Sequence, residues 1–366
     1  MAWLRIDWGL YVAALGLSLV GALLVWSGTH QDVGSALAVR HLINTAIGAT
    51  MAVLLLRVHV RTIRAAAPWV YLAGVLGLVL VLSPLGVTVN GSRSWIHLPG
   101  GFSLQPAELA KIALCIGLAM ILAEGRRRQQ APGWREVLTA WLLAGIPIGL
   151  ILLQPDLGTA LVLGSMAVGV VVASGAALRW TVGAVGAAAA AVVAAIRVPL
   201  LDDYQLDRLL AFADPSRDPQ GIGYQTRQAR LAIGSGGWDG AGLGQGPQTQ
   251  GGFIPFQHTD FAFSIAGEEL GLLGSLGILG LLMFVVIRAL WVAVRTADPF
   301  ARLVAVGVAG WLLFQTFENV GMNLGLTPVT GLPLPFVSYG GSSMFACWLA
   351  VGLVAACQQP SRATDR

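Results

Sequence analysis

Long apolar runs separated by short polar segments dominate the hydrophobic pattern of this chain. A helix needs roughly 20 largely apolar residues to cross the hydrocarbon of a bilayer, and the runs match that length. The pattern therefore predicts an all-α integral membrane protein, a bundle of ten transmembrane helices in a single polytopic domain over residues 1–366. The predicted spans are 8–27, 38–56, 68–86, 104–123, 136–153, 157–175, 180–199, 261–287, 301–322 and 342–358.

The composition is also typical of a protein that lies in a lipid bilayer. Hydrophobic residues make up 56% of the chain and charged residues 11%, which excludes ordinary soluble domains and disordered chains. The net charge of +4 is spread over short loops instead of forming a basic patch, so no nucleic-acid partner is expected. Cys115, Cys347 and Cys357 all lie in apolar runs and are predicted to be small buried side chains.

The arginines of the short loops predict the orientation of the chain, because cytoplasmic loops carry an excess of basic residues. With the N-terminus inside, only Arg40, Arg93 and Arg197 lie in short outer connections. The inner set is Arg5, Arg57, Arg61, Arg64, Arg126, Arg127, Arg128, Arg135, Arg179, Arg288, Arg295, Arg302, Arg362 and Arg366. We therefore expect a multi-pass protein of the cytoplasmic (inner) membrane with both termini cytoplasmic. One large extracellular loop, about residues 200–259, lies between helices 7 and 8.

Few ionisable side chains lie inside the predicted spans, where each costs roughly 2.5–3.5 kcal/mol on insertion scales. Glu108 and Lys111, the single lysine, are three positions apart and share one helix face. On the predicted topology they lie in the outer half of the membrane together with Asp156, Asp260 and Glu318. A transport pathway needs ionisable groups at several depths, so these positions favour chemistry at the outer face.

Each of these residues also has a structural interpretation. Glu108 and Lys111 form either a neutralising pair or a catalytic pair, and the sequence leaves both open. Asp156 follows a proline at a helix start, where an N-cap is the ordinary role. Asp260 also opens a predicted helix, but it follows the long outer loop and the pair His258 and Thr259, which favours a functional role.

Two segments outside the spans are rich in glycine. Residues 234–246 lack the Lys-Ser/Thr end of a phosphate-binding loop and predict a flexible or tightly turned outer loop. Residues 331–343, which contain Ser338, Ser342 and Ser343, are either a re-entrant structural loop or a wall of the outer cavity. No His/Cys cluster in the sequence has zinc spacing.

At these residues the chain resembles the SEDS family (shape, elongation, division and sporulation proteins) of polytopic peptidoglycan polymerases. The matching segments occur in the family's order and are Asn90–Ile96, Gln105–Ile112, Gln154–Thr159, Ala232–Gly237, His258–Phe261, Glu268–Gly271, Asn319–Met322 and Pro333–Ser343. Within the family, Gly246–Gln250 is similar to the elongation members and unlike the division members.

The resemblance implies a glycosyltransferase that joins lipid II, a disaccharide-pentapeptide on undecaprenyl pyrophosphate, to a nascent glycan strand among membrane lipids. It also implies a class B penicillin-binding protein as partner, because crosslinking needs a transpeptidase and this chain lacks serine-lysine machinery. The family's essential aspartate corresponds to Asp260. A lipid II flippase or ion-coupled transporter is the alternative function, and a non-catalytic scaffold is a third.

For the implied reaction, one inverting displacement converts an α-linked donor into a β-1,4 link, and a single base suffices. We expect Asp260 to accept the proton of the acceptor hydroxyl, and Lys111, oriented by Glu108, to offset charge on the leaving pyrophosphate. A divalent cation (Mg or Mn) bound by Asp260 or Asp156 is the alternative to Lys111, and no tightly bound cofactor is expected. The expected substrate contacts are Asp156, His258, Thr259, Arg93, Ser338, Ser342 and Ser343.

Overall fold

The computed structural model describes residues 7–89, 92–98, 102–127, 131–197 and 221–358, and most of them are helical. The helices are α1 (Trp8–Ser27), α2 (His30–Val33), α3 (Ala36–Leu55), α4 (Val60–Leu82), α5 (Pro106–Arg127), α6 (Trp134–Leu152), α7 (Leu157–Ala173), α8 (Leu178–Arg197), α9 (Ile222–Ser235), α10 (Pro247–Gln250), α11 (Ala262–Glu269), α12 (Gly271–Arg295), α13 (Pro299–Leu324) and α14 (Gly341–Cys357).

Within the described ranges, seven helices are long and apolar enough to cross a membrane, namely α1, α3, α4, α5, α6, α12 and α13. Helices α7 and α14 are apolar but shorter. Every predicted span coincides with a described helix, so the prediction of a helical, multi-pass chain is confirmed. The number of crossings and the direction of each stay predictions, and the large loop is described only from Gly221 onward.

The connection between α4 and α5 is a small antiparallel sheet, so the prediction of an all-helical chain is wrong there. Its strands, in spatial order, are β1 (Val87–Val89), β2 (Ser92–Leu98) and β3 (Phe102–Leu104). Trp95 of β2 lies opposite Val87, and Ile96 lies opposite Leu104. The physical reason is composition: β1 consists of β-branched residues, and β2 contains Trp95 and Ile96, residue types that favour strands.

The eighth predicted span is not one continuous helix. Helix α11 ends at Glu269 and α12 begins at Gly271, whose φ of +65° is readily adopted only by glycine. Within hydrocarbon a broken helix needs partners for its freed backbone groups, and such breaks are typical of substrate or ion sites. The prediction of a single helix over 261–287 is therefore wrong at Leu270, and the eight residues of α11 lie between Asp260 and the break.

Helices α5 and α13 form the centre of the bundle, since α13 packs against α5, α7, α12 and α14. Around them α4 packs against α5, and α14 packs against α3. Small residues permit this close packing: a methyl group added to Gly352 would lie 2.8 Å from Cα of Ala52. Because Lys111 lies on α5 and Asn319 on α13, the central helices also carry the polar groups of the interior.

The end of the bundle away from Asp260 is held by Asp7. Its side chain caps α1 by accepting from the N–H of Leu10, and it pairs with Arg288 of α12 at 2.5 Å. The side-chain amide of Gln358, just beyond α14, donates to the same carboxylate at 3.1 Å. Both ends of the described chain are therefore tied to one point on α12.

Candidate active site

Asp260 lies in a tight turn immediately before α11. Its backbone N–H donates to the carbonyl oxygen of Phe256 at 3.1 Å, and Phe256 has a φ of +54°, which is rare for an aromatic residue. Asp260 is partly exposed, whereas every residue of α11 is buried. The N-cap position of α11 is occupied by Phe261.

The segment 329–334 links the ionisable groups that the sequence predicted to lie together. A Cβ added to Gly331, which has a φ of +75°, would lie 3.5 Å from Oδ2 of Asp260. The same segment packs on Gly158 at the start of α7, next to the predicted Asp156 site. Buried Glu318 of α13 lies beside its Thr330. These groups therefore gather at one end of the bundle, which we call the Asp260 end.

Two asparagines of α13 hold the backbone of Asp260. The side-chain amides of Asn319 and Asn323 donate to its carbonyl oxygen at 2.9 and 3.2 Å. Asn319 also donates to the carbonyl oxygen of Leu332 at 2.7 Å, and Asn323 accepts from the N–H of Ser264 at 3.1 Å. Neither asparagine was among the predicted site residues, although Asn319 opens one of the family segments and uncharged amides within an apolar helix are a signal of a polar contact.

His258 and Thr259 lie beside Asp260 and are partly exposed. The carbonyl oxygen of His258 accepts from the N–H of Tyr339 at 2.9 Å, and the two rings are 5.9 Å apart. Burial lowers the pKa of His258 below its usual value, an effect that the charge of Asp32 opposes in part. The imidazole is therefore held in its neutral form more strongly than a free histidine.

Lys111 and Glu108 form a closed, buried pair. Nζ of Lys111 donates to Glu108 at 2.7 Å and to Oε1 of Gln315 at 2.8 Å, and it lies 5.3 Å from the ring centre of Trp311. Gln315 in turn donates to the carbonyl oxygen of Pro333 at 2.8 Å. The side chain of Lys111 is 0% exposed, and Gln315 joins it to the 329–334 segment.

Asp156 is the N-cap of α7, as one interpretation of the sequence held. Its two carboxylate oxygens accept from the N–H and the hydroxyl of Thr159, both at 2.9 Å. Gln105 also donates to it at 3.4 Å. Burial raises the pKa of Asp156, and the hydrogen bonds from Thr159 oppose that rise. Both oxygens therefore already have partners within the fold.

The remaining predicted contacts differ in exposure. Arg93 of β2 is partly exposed, and its Nε donates to the carbonyl oxygen of Gly86 at 3.1 Å. The hydroxyl of Ser338 accepts from the N–H of Leu334, and that of Ser342 accepts from the N–H of Gln105, both at 2.9 Å. Ser338, Ser342 and Ser343 are all buried.

Glu268 and Glu269, at the end of α11, bind the segment before Asp260. Glu268 accepts from the N–H of Gln248 and from the N–H and hydroxyl of Thr249, at 2.6 to 2.8 Å. Glu269 accepts from the hydroxyl of Ser27 on α1 at 2.7 Å. These buried carboxylates thus join α11 to α1 and to the segment around α10.

The glycine-rich stretch supplies the partners that the helix break requires. Four backbone bonds of 2.9 to 3.1 Å join it to the two sides of the break, namely Ala241 to Glu268, Gly242 to Glu269, Leu272 to Gly237 and Leu273 to Trp238. A Cβ on Gly236 would overlap the carbonyl oxygen of Gly267, so only glycine fits this approach. The prediction of a tightly turned loop is confirmed, and its turns provide hydrogen-bond partners for the backbone groups at the helix break.

Metal ligands are few at this site. Within the part of the chain that the structure describes, no three His, Cys, Asp or Glu side chains come together in a manner that would hold a metal ion. Magnesium, however, is commonly bound by one or two carboxylates together with the phosphates of a substrate. Asp260, a partly exposed carboxylate, suits that second arrangement.

These observations define a class of protein: a multi-pass helical membrane protein with a polar site at one end of the bundle, centred on a partly exposed aspartate beside a broken helix. The chain belongs to the cell cycle protein family FTSW_RODA_SPOVE, whose profile matches residues 3–363. The family predicted from the sequence motifs is thereby confirmed.

Similar proteins cover nearly the whole chain. Peptidoglycan glycosyltransferase MrdB of Escherichia coli K12 is 35% identical over 353 residues, which cover 96% of this chain and 92% of MrdB. The crystal structure of the Thermus thermophilus rod shape determining protein RodA has a TM-score of 0.71 and 33% identity, and covers 98% of both chains. A chain from a structure on coordination of polymerization and crosslinking by a peptidoglycan synthase complex has a TM-score of 0.81 and 36% identity, covering 97% of this chain and 98% of that one.

Proposed function

We propose that this chain is a peptidoglycan glycosyltransferase that polymerises lipid II into β-1,4-linked glycan strands during cell elongation. MrdB bears that enzymatic name, RodA is named for rod shape, and each similarity extends over almost all of both chains. The single structural observation that supports it most is Asp260, a partly exposed carboxylate beside a broken membrane helix. A carboxylate in such a position is suited to proton transfer.

The same proposal includes ten crossings of the cytoplasmic membrane, with both termini inside and the Asp260 end facing out. Its support is the coincidence of each apolar run with a helix and the excess of arginine in the short loops assigned to the inside. Lipid II would lie with its prenyl tail among lipids and its sugars at the Asp260 end.

In the reaction, Asp260 takes the proton of the acceptor's 4-hydroxyl as that oxygen attacks the anomeric carbon of the donor. The bond to pyrophosphate breaks, and undecaprenyl pyrophosphate leaves with the electron pair. One displacement inverts the α configuration to β, so no covalent enzyme intermediate is required. His258, Thr259 and Arg93 are the substrate contacts we retain, because all three are partly exposed.

Lys111 and Glu108 have a supporting role in this proposal. Their complete burial argues against direct contact with pyrophosphate, and their bonds through Gln315 hold the segment that carries Gly331. Ser338, Ser342 and Asp156 likewise stabilise the local backbone, since their side-chain oxygens accept from nearby N–H groups. The charge of the leaving pyrophosphate is therefore offset by a different group.

A magnesium or manganese ion would fit that role, and Asp260 is the residue of this chain that would hold it. Such an ion supplies positive charge to a pyrophosphate leaving group. The chain's own part is to offer the Asp260 carboxylate at a fixed place beside Gly331.

A class B penicillin-binding protein is the partner that we propose. The support is the structural similarity to a chain of a peptidoglycan synthase complex in which polymerization and crosslinking are coordinated. Crosslinking in this case would be supplied by the partner, because the chain's sequence has no serine-lysine transpeptidase motif.

Purified protein in detergent, given labelled lipid II, tests the function. Polymer formation can be measured without a sealed compartment, whereas the activity of a flippase or ion-coupled transporter can be measured only across a sealed membrane. Asp260→Asn is expected to abolish polymerisation while the protein stays folded, because the amide cannot accept the proton.

Asp239→Asn is the matched control, since Asp239 is an exposed aspartate on the glycine-rich stretch. It should polymerise at the wild-type rate. Full activity of folded Asp260→Asn would refute the assignment of the base. Absence of polymer from wild-type protein supplied with its partner, together with lipid II movement in sealed vesicles, would favour the transporter.

A further inference from the structure

We propose that Asn319 is a positioning residue for catalysis, which fixes the distance between the Asp260 carboxylate and the Gly331 turn. The inference rests on the proposed function, with Asp260 as the base. Asn319 touches no reacting atom in this scheme. It acts on the backbone at both sides of the carboxylate.

The geometry of one amide group carries the inference. The two N–H bonds of the Asn319 side chain are directed to two carbonyl oxygens, that of Asp260 at 2.9 Å and that of Leu332 at 2.7 Å. Leu332 directly follows Gly331, whose added Cβ would lie 3.5 Å from Oδ2 of Asp260. A single planar group thus bridges the two chain segments that flank the carboxylate.

The support from α13 matters because the helix is interrupted. The break at Gly271 separates α11 from α12, so the orientation of α11 depends on its contacts with other segments and not on helix continuity. Asn319 is fully buried on central helix α13, which packs against α5, α7, α12 and α14. The backbone of Asp260 is therefore tied to α13 through its asparagines.

Asn323, one turn further along α13, reinforces the same contact. It donates to the carbonyl oxygen of Asp260 at 3.2 Å and to that of Asn319 at 2.8 Å, and accepts from the N–H of Ser264. It does not reach the Gly331 side. Loss of Asn323 should therefore loosen the turn that holds Asp260. Loss of Asn319 should loosen that turn and also free the segment that contains Gly331 and Leu332.

The test compares Asn319→Leu, which keeps a similar volume without donors, with Thr316→Val on the same helix. The Thr316 hydroxyl is buried and has no hydrogen-bond partner among the residues that the structure describes. Thr316→Val should leave polymerisation unchanged. For Asn319→Leu we expect kcat to fall roughly 10- to 100-fold, because misplacement of a reacting group by about 1 Å is that costly. KM for lipid II should change by less than about threefold, since the substrate contacts are intact.

A purely structural role would lower yield and thermal stability without a selective loss of kcat. Wild-type kcat in folded Asn319→Leu would overturn the proposal, and so would a loss confined to KM. If that variant does not fold, Asn323→Leu and Gly331→Ala test the same geometry from its two sides, and wild-type kcat in both would overturn it. Failure of the base assignment is a separate result, because it is measured as activity of Asp260→Asn with Asn319 intact.

Discussion

Replacement of Lys111 by methionine should destabilise the protein strongly, because it leaves a buried carboxylate without its cation. In the structure Lys111 donates to Glu108 at 2.7 Å and to Gln315 at 2.8 Å, and the side chains of the ion pair are 0% and 2% exposed. Removing one partner of a buried pair costs roughly 3–5 kcal/mol. The second oxygen of Glu108 has no hydrogen-bond partner among the described residues, which places the cost toward the upper part of that range.

The double variant Lys111→Met with Glu108→Gln should recover most of that loss. Neutral side chains of similar volume commonly replace a buried ion pair at little cost. Gln315 keeps a donor, since Nε1 of Trp311 lies 2.6 Å from its Oε1. If the pair only supports the 329–334 segment, polymerisation should return together with stability.

The assay is denaturant titration of the detergent-solubilised protein, run beside lipid II polymerisation for both single variants and the double variant. Single variants as stable as wild type would refute the reasoning from burial. A double variant with wild-type stability and no polymerisation would show that the charge of Lys111 acts on substrate, and the supporting role would be wrong.

Three further predictions concern the surroundings of Asp260. Glu268→Ala should lower the free energy of unfolding by roughly 2–4 kcal/mol, because it orphans buried N–H and hydroxyl donors, whereas Glu268→Gln keeps an acceptor and should cost less; denaturant titration measures both. The burial-lowered pKa of His258 means that the unfolded state binds more protons below about pH 6.5, so acidification through that range should destabilise wild type more than His258→Gln in thermal melts. Chelation should stop polymerisation and added Mg²⁺ or Mn²⁺ should restore it, with thermal stability unchanged; activity that persists in chelator would exclude the ion.

The spans and the grouping of the ionisable side chains could be predicted from the sequence because each depends on local composition. Apolar length marks a membrane helix, and an isolated charge such as Lys111 in such a helix is costly enough to be informative. The alternating direction of successive runs then predicts that Asp260 and Asp156 lie at the same end of the bundle. Whether a polar side chain supports the fold or faces a substrate depends on hydrogen bonds between residues that are distant in sequence. The sequence therefore left the role of Lys111 open.

The helix break was not predicted because the run over 261–287 is long and apolar enough for a single span even with Glu268, Glu269 and Gly271 inside it. Its cause is a partner distant in sequence, the stretch that contains Gly237 and Ala241. Only when that stretch folds back can the carbonyl and N–H groups at the break be satisfied in hydrocarbon. The asparagines of α13 were missed for a related reason, since an amide carries no charge and its two carbonyl partners come from separate segments.

These long-range contacts explain how a turn beside an interrupted helix can present a carboxylate at a fixed position. The break frees α11 from α12, while Glu268 and the glycine-rich stretch stabilise the end of α11, and Asn319 holds its beginning. Ordering a chain segment has an entropic cost. That cost is smaller for the turn that holds Asp260, because the segments before and after the turn are already held by their own contacts. The partial exposure of Asp260 is then compatible with a rigid position, because its backbone is buried in hydrogen bonds while its carboxylate faces the Gly331 turn. Rigidity at this turn is what the proposed role of Asp260 as a base acting on a lipid-linked sugar requires.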